Sequence, residues 1–181
     1  MRFAPFSLFL GLLMLAGCAH STPHSNTLRP FATDGCSMWP EGTTAKPNLW
    51  HNCCVMHDKE YWVGGSAEQR KVSDEKFRAC VSDVAGKIMA EEMYSGVRVG
   101  GSPFLMTSYR WGYGWNYFEG SNPRGNKIPT LEEQQQIDAL MPAAEKIVAE
   151  EMAKQSAELP QTNLPTDNKI NKADIREKLI N

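Results

Sequence analysis

Five residues between positions 53 and 61 combine acid–base and metal-binding chemistry: Cys53, Cys54, His57, Asp58 and Tyr61. On a helix of 3.6 residues per turn, the first cysteine, the histidine and the tyrosine share one stripe. Histidine is the side chain whose ordinary pKa lies closest to neutral pH, so His57 is a candidate general base. Asp58 diverges from His57 by about 100°, so its carboxylate is free to face something else, such as a cation.

Four cysteines lie beyond position 18, and their spacing favours two disulfides: Cys36, Cys53, Cys54 and Cys80. Adjacent cysteines on a helix point about 100° apart, so Cys53 and Cys54 need separate partners. Cys36 can then pair with either of them, and the remaining one pairs with Cys80. The alternative is a zinc site made of these thiolates and His57, but an exported chain with adjacent cysteines favours disulfides.

Capping signals predict two helices in this part of the chain. Asn48 can cap a first helix over residues 49–62, which two glycines at positions 64 and 65 would end. Ser66 and Gln69 form a capping-box pair, which predicts a second, longer helix to about Tyr94. The five residues of the first paragraph therefore lie on a helix that is followed closely by another.

An acidic residue falls on the core-facing stripe of the second helix, which contains Asp74, Phe77, Val81, Val84 and Ile88. A buried carboxylate needs a partner. If Cys80 bonds back to the first helix, Asp74 is carried close to His57, where it can fix the imidazole tautomer. The alternative is a solvated Asp74 near the start of the helix.

Residues 34–43 contain two glycines, a proline and Cys36, which predicts a turn-rich loop held by sulfur. Such a loop can direct backbone carbonyls inward. Calcium commonly takes a mixture of carbonyl and carboxylate oxygens, so this loop and Asp58 could form a calcium site. The alternative is a plain connecting loop.

Residues 109–117 carry an aromatic side chain at every second position, which predicts a β-ribbon with one aromatic face. That face could line an acyl-chain channel or lie at a lipid–water boundary. The alternative is that it covers the core of the helix pair.

A third helix is predicted from Thr130, which forms a capping-box pair with Glu133, to about Lys154. One apolar stripe should pack it on the domain: Ile137, Leu140, Met141, Ala144, Val148 and Met152. Its acidic residues are expected to form a solvated face: Glu132, Glu133, Glu145, Glu150 and Glu151.

The amino terminus predicts export. Residues 1–17 carry Arg2 and then an apolar run whose length suits a signal peptide. Residues 15–18 resemble the lipobox of bacterial lipoproteins, in which the cysteine, here Cys18, is acylated and becomes the first mature residue. By the same resemblance, Ala19 indicates the outer membrane. The alternative is ordinary secretory cleavage that leaves a free thiol.

A chain of 181 residues with 41% hydrophobic residues fits one domain with tails. We expect a signal peptide at 1–17, a tether at 18–33, the domain at 34–158 and a flexible tail at 159–181. The net charge of −2 gives no general footprint for nucleic acid.

The pattern Cys-Cys-x-x-His-Asp at 53–58, followed by Tyr61, resembles the active-site helix of secreted phospholipase A2 enzymes. The resemblance extends over about residues 34–85, because Asp74 precedes Cys80 by six positions and Cys36 lies in a preceding loop. It implies the bridges Cys36–Cys54 and Cys53–Cys80. The sequence departs from the family after Cys36, where residues 37–40 replace the usual glycines.

The resemblance also implies a role for each site residue. His57 would be the general base, Asp74 its orienting carboxylate, and Tyr61 a hydrogen-bond donor to Asp74. Asp58 would bind Ca²⁺, together with three backbone carbonyls: those of Gly35, Ser37 and Trp39.

The expected fold is mainly α: a phospholipase A2-like, disulfide-linked antiparallel helix pair with a calcium loop, a small aromatic β-ribbon and an additional C-terminal helix. The expected function is calcium-dependent hydrolysis of phospholipid acyl esters, by a protein held at the membrane through lipidated Cys18. The alternative is a non-catalytic envelope lipoprotein that uses the same scaffold to bind lipid or a protein partner.

Overall fold

Glycines and a capping box set the limits of the first two helices. In the computed structural model, which describes residues 26–158, α1 comprises His51–Val63 and ends at Gly64. α2 comprises Ala67–Ala85, and its capping box forms as predicted, with Ser66 Oγ accepting from the Gln69 N–H at 3.1 Å. α1 begins two residues later than the sequence predicted.

The second helix is shorter than predicted, because the chain reverses at Gly86. α2 ends there, and a separate helix α3 comprises Lys87–Gly100. Gly86 has φ of 85°, a left-handed conformation that glycine adopts at little cost. The prediction of one continuous helix to about Tyr94 was therefore wrong. Two side chains assigned to its core stripe are exposed instead: Val84 and Ile88.

Two disulfides hold α1 in place. Cys53–Cys80 joins α1 to α2 with an S–S distance of 2.00 Å, and Cys36–Cys54 joins α1 to the preceding loop at 2.06 Å. This is one of the two pairings that spacing left open, and the one that the resemblance implied. The zinc alternative was wrong, because all four thiols are bonded. Since Cys53 near the start of α1 meets Cys80 near the end of α2, the two helices run antiparallel.

Residues 109–117 form turns, not the strand that aromatic alternation predicted. They wrap around the C-terminal end of α1, where helix carbonyls lack partners within the helix. Four of their N–H groups donate to carbonyls there: Gly112 to Tyr61, Gly114 to Trp62, and the indoles of Trp111 and Trp115 to Gly65 and Val63. The aromatic run therefore caps α1, and its two indoles are buried.

The small β-ribbon lies immediately after this run. β1 comprises Phe118–Glu119 and β2 comprises Asn122–Pro123, and they pair antiparallel with Phe118 opposite Pro123. The fold is thus mainly helical, with one two-stranded sheet in the described residues.

Residues 26–33 belong to the fold, although the sequence assigned them to a tether. Leu28 and Phe31 are buried in one core cluster with Trp62 and Trp115. The Trp62 indole also donates to the Arg29 carbonyl at 2.7 Å. The prediction of a tether was therefore wrong over this range, because Leu28 and Phe31 pack into the core that α1 and α4 share.

The last helix, α4, comprises Leu131–Glu158 and begins with the predicted capping box. Its apolar stripe buries Ile137, Ala144 and Val148. Glu133 was expected on a solvated face, and this was wrong. It is only 3% exposed and pairs with Arg124 at 2.7 Å and Lys127 at 2.9 Å, which the segment after β2 brings to the start of α4.

Glu133→Gln should destabilise the domain by about 2 kcal/mol at neutral pH, because Arg124 and Lys127 keep only Glu119 as a carboxylate partner, while the amide can still accept from the Thr130 N–H. Burial alone would raise the pKa of Glu133, but the hydrogen bonds from Arg124 and Lys127 outweigh it and lower the pKa from 4.5 to about 2. A depressed pKa means that this stability is present above pH 4.5 and is lost as pH falls through about 2. Urea unfolding should show the difference from wild type shrinking across that window.

Glu132→Gln is the matched control, since Glu132 is the exposed neighbour of Glu133 on α4. It should unfold like wild type at every pH. An equal loss of stability in both variants would contradict the buried ion-pair network.

Within residues 26–158, no helix has both the length and the apolar content required to cross a bilayer. The predicted signal peptide at 1–17, Cys18 and the tail at 159–181 lie outside the described residues.

Candidate active site

A buried histidine–aspartate pair links α1 and α2. His57 Nε2 lies 2.8 Å from Asp74 Oδ1, and the two side chains are 7% and 0% exposed. Asp74, being ionised, can only accept, so Nε2 carries the proton and the imidazole lone pair is on Nδ1. The antiparallel packing fixed by Cys53–Cys80 brings these residues together. The sequence anticipated their proximity.

Asp74 receives more donors than the sequence indicated. Tyr61 donates its hydroxyl to Oδ1 at 2.7 Å, and Arg98 donates to Oδ2 at 2.5 Å. Arg70 Nε lies 3.9 Å from the same oxygen and donates to the Tyr61 hydroxyl at 3.2 Å. Burial opposes ionisation of Asp74, but the hydrogen bonds from His57, Tyr61 and Arg98 outweigh it and hold its pKa below the usual value. The carboxylate therefore remains charged behind the imidazole.

The two arginines are site residues that sequence reasoning missed. Arg70 is 7% exposed, and its guanidinium also donates to the carbonyls of Val97 and Arg98 on α3. Arg98 reaches Asp74 only because α3 folds back along α2. One signal was available: Arg70 precedes Asp74 by four positions, the spacing of an ion pair on one helix face.

Asp58 lies one position after His57 and faces the loop before α1. Its Oδ2 accepts from the Thr33 hydroxyl at 2.6 Å, and the same hydroxyl oxygen accepts from the Gly35 N–H at 3.1 Å. Burial raises the pKa of Asp58 to about 8, with Asp34 adding to the rise and the Thr33 hydrogen bond opposing it. Within the described residues, no lysine, arginine or histidine forms an ion pair with Asp58. This carboxylate is therefore short of positive charge.

The loop itself is held in an unusual conformation. Cys36 ties it to α1, and Gly35 and Ser37 both have positive φ, of 73° and 52°. Ser37 is the one non-glycine residue with positive φ in the described chain, a conformation that costs about 1 kcal/mol for an L-residue. Ser37 therefore has a backbone conformation that glycine would adopt more readily.

A cavity of about 190 Å³ opens in front of His57. Six of the seven residues predicted from the sequence line it: Gly35, Ser37, Trp39, His57, Asp58 and Tyr61. The seventh, Asp74, lies behind the imidazole. Phe77 and Met93 add apolar walls. The space therefore combines one base, one carboxylate and a largely apolar lining.

Within residues 26–158, no three His, Cys, Asp or Glu side chains come together as a metal-binding group. A calcium site of the expected kind would use one carboxylate and several backbone carbonyls instead. No protein-family model, curated protein or solved structure matches the chain.

Proposed function

We propose that the chain is a calcium-dependent, phospholipase A2-like hydrolase that cleaves acyl esters of phospholipids, with His57 as the general base. The observation that carries the proposal is the buried His57–Asp74 pair at the wall of a cavity that Asp58 also lines. A buried histidine with a purely structural role would not need a carboxylate that is itself held by two further hydrogen-bond donors, Tyr61 and Arg98.

In the proposed reaction, water is the nucleophile. His57 Nδ1 takes a proton from water as its oxygen attacks the ester carbonyl, and the imidazolium later returns a proton to the leaving alkoxide. Asp74 stabilises the charged imidazolium through Nε2 and keeps the ring in the productive tautomer. Tyr61 and Arg98 hold Asp74 ionised and fixed in position, so it does not compete for the proton.

The residues around Asp58 fit a calcium ion. Asp58 is a carboxylate without a cationic partner among residues 26–158, and it lines the same cavity as Gly35, Ser37 and Trp39, whose backbone carbonyls would be the further ligands. Oxygen ligands of these two kinds suit calcium. When bound there, the ion would polarise the ester carbonyl and stabilise negative charge on its oxygen. The positive φ of Ser37 supports this assignment, because the loop keeps a glycine-like conformation at a position where secreted phospholipase A2 enzymes usually carry glycine.

The cavity lining supports a substrate with an acyl chain. Phe77, Met93 and Val97 present apolar surface beside His57, and Met38 and Trp39 extend it to the exposed rim, where they are 83% and 41% accessible. An apolar chain gains free energy by leaving water for such a surface. The proposed anchor at Cys18 would keep the domain at the bacterial envelope, at the outer membrane, next to its phospholipid substrate.

The direct test is release of fatty acid from phospholipid by the mature, disulfide-bonded chain, with calcium or with a chelator. Calcium-dependent release would support the proposal. A folded chain that releases no fatty acid with calcium present would favour the non-catalytic envelope lipoprotein instead.

Asp58→Asn should abolish calcium binding, because the amide replaces the only carboxylate of the proposed site while still accepting from Thr33. In calorimetric titration, calcium should bind wild type and not the variant. Calcium should likewise raise the melting temperature of wild type alone.

Asp34→Asn is the comparison, since Asp34 belongs to the same loop but lies outside the proposed ligand set. It should retain binding. Calcium binding that survives Asp58→Asn and disappears in Asp34→Asn would move the site away from Asp58.

A further inference from the structure

An exposed apolar surface lies beside the β-ribbon. Phe104, Leu105 and Met106, in the loop after α3, are 59%, 43% and 70% accessible, and Phe118 on β1 is 51% accessible. Tyr117 joins the two segments: its hydroxyl donates to the Phe104 carbonyl at 2.8 Å, and its ring lies 4.8 Å from that of Phe118. We call the four exposed side chains of Phe104, Leu105, Met106 and Phe118 the ribbon patch. Clustered exposed apolar side chains of this size usually mark a binding surface.

The described chain begins next to this patch. The Asn26 side chain donates to Glu119 Oε1 at 3.1 Å and accepts from the Asn116 N–H at 3.0 Å, so the backbone at residue 26 is fixed beside β1. Cys18 precedes it by eight positions. A fully extended chain spans at most about 3.6 Å per residue, so an acyl anchor at Cys18 is held within about 29 Å of residue 26, which lies beside β1.

The ribbon patch also adjoins the cavity. Its loop leaves from Gly101 and returns at Tyr109, and both of these residues line the cavity in front of His57. Gly101 packs closely against Tyr61 there, since a Cβ at this position would lie 2.5 Å from the Tyr61 ring. A surface that holds the patch would therefore lie near the cavity rim as well.

We propose that the ribbon patch inserts into the same bilayer that holds the Cys18 anchor, so that the domain acts on lipids of its own membrane. The inference rests on the anchor and, for the substrate, on the function proposed above. A lipid surface is the occupant because the chain outside the structure leads from the edge of the patch to an acylated residue. Phe and Met side chains transferred from water to the acyl region would add to the binding from the anchor.

The test measures membrane binding by the ribbon patch in the absence of the acyl anchor. Mature chain with Cys18→Ser, which cannot be acylated there, is sedimented with vesicles of phosphatidylethanolamine and phosphatidylglycerol. It should bind, and F104S/M106S should lower the partition coefficient about tenfold or more. Ile88→Ser is the matched control, because Ile88 is 82% exposed at the far end of α3. It should bind like the parent chain.

Three results would overturn insertion of the ribbon patch into a bilayer. The first is a partition coefficient that F104S/M106S leaves unchanged, and the second is no vesicle binding by the parent chain. The third is a dimer of the parent chain that F104S/M106S dissociates, which would make the patch a protein interface.

Hydrolysis of a short-chain phospholipid dispersed as monomers measures catalysis without membrane binding, so it separates the test of the ribbon patch from the test of the proposed activity. F104S/M106S should retain this activity while losing vesicle binding. If no variant hydrolyses any ester, the proposed function fails and the vesicle result still decides the ribbon patch. With acylated wild type in labelled vesicles, hydrolysis should stay within the vesicles that carry the protein. Equal cleavage of added vesicles would overturn action on its own membrane.

Discussion

Replacing His57 with glutamine should lower phospholipid hydrolysis about a thousandfold, within the range of 10²–10⁴ that general-base catalysis contributes. Glutamine can still donate to Asp74 Oδ1, so the buried pair keeps a hydrogen bond and the helices keep their packing. What disappears is a group able to accept and return a proton at the Nδ1 position. The measurement is the initial rate of fatty-acid release at saturating calcium, with circular dichroism and urea unfolding to confirm the fold.

Met56→Gln is the matched control for this substitution. Met56 precedes His57 on α1 and is 40% exposed, so the new amide faces solvent. Its activity should stay close to that of wild type. Retention of activity by folded His57→Gln would rule out the proposed mechanism and leave the cavity as a lipid-binding site.

Asp74→Asn should reduce both activity and stability, because Asp74 serves the imidazole and two arginines at once. An amide in place of the carboxylate leaves Arg70 and Arg98 without a countercharge and His57 without a partner that stabilises its protonated form. Loss of one member of a buried ion pair costs about 3 kcal/mol, and loss of the orienting carboxylate should lower the rate by at least about a hundredfold. Urea unfolding and initial rates measure the two effects separately.

The pH dependence of this loss has a definite sign. The folded pKa of Asp74 lies below its usual 3.8, so its stabilisation is present above that pH and is lost as pH falls through the lower folded value. The gap between wild type and Asp74→Asn should therefore narrow in acid. Asp83→Asn, an exposed change on the same helix, should show neither loss. A fully active Asp74→Asn would make the pair purely structural.

The sequence predicted correctly those features that depend on residues a few positions apart. The divergence of Cys53 and Cys54 limited the disulfides to two arrangements, and the one observed brings Asp74 to His57. The capping boxes at Ser66 and Thr130 located two helix starts correctly. These features depend on hydrogen bonds and covalent geometry between residues close in sequence, or on one long-range bond that the cysteine count already restricted.

Features that depend on tertiary packing were missed. An arginine in the last turn of a helix is normally solvated, so nothing local indicated that Arg98 reaches Asp74. That contact exists because the chain reverses at Gly86. A glycine inside an otherwise helical run is a signal that the helix can end there.

The prediction of a strand over residues 109–117 was wrong for a different reason. Alternation of side chains at 109–117 is also compatible with a chain that winds around a helix end and directs indole N–H groups at its free carbonyls. Periodicity describes which way side chains point, and it does not say whether the backbone finds its partner in a strand or at a helix terminus.

The two disulfides that leave α1 at adjacent positions have a consequence for the cell that makes the protein. One holds the loop before α1, and the other holds the helix that carries Asp74. In a reducing cytoplasm neither bond persists, so both halves of the site lose their covalent attachment to α1 together. On the proposed function and the expected export, the site would be completed only outside the cytoplasm, so phospholipids facing the cytoplasm would not be hydrolysed during synthesis.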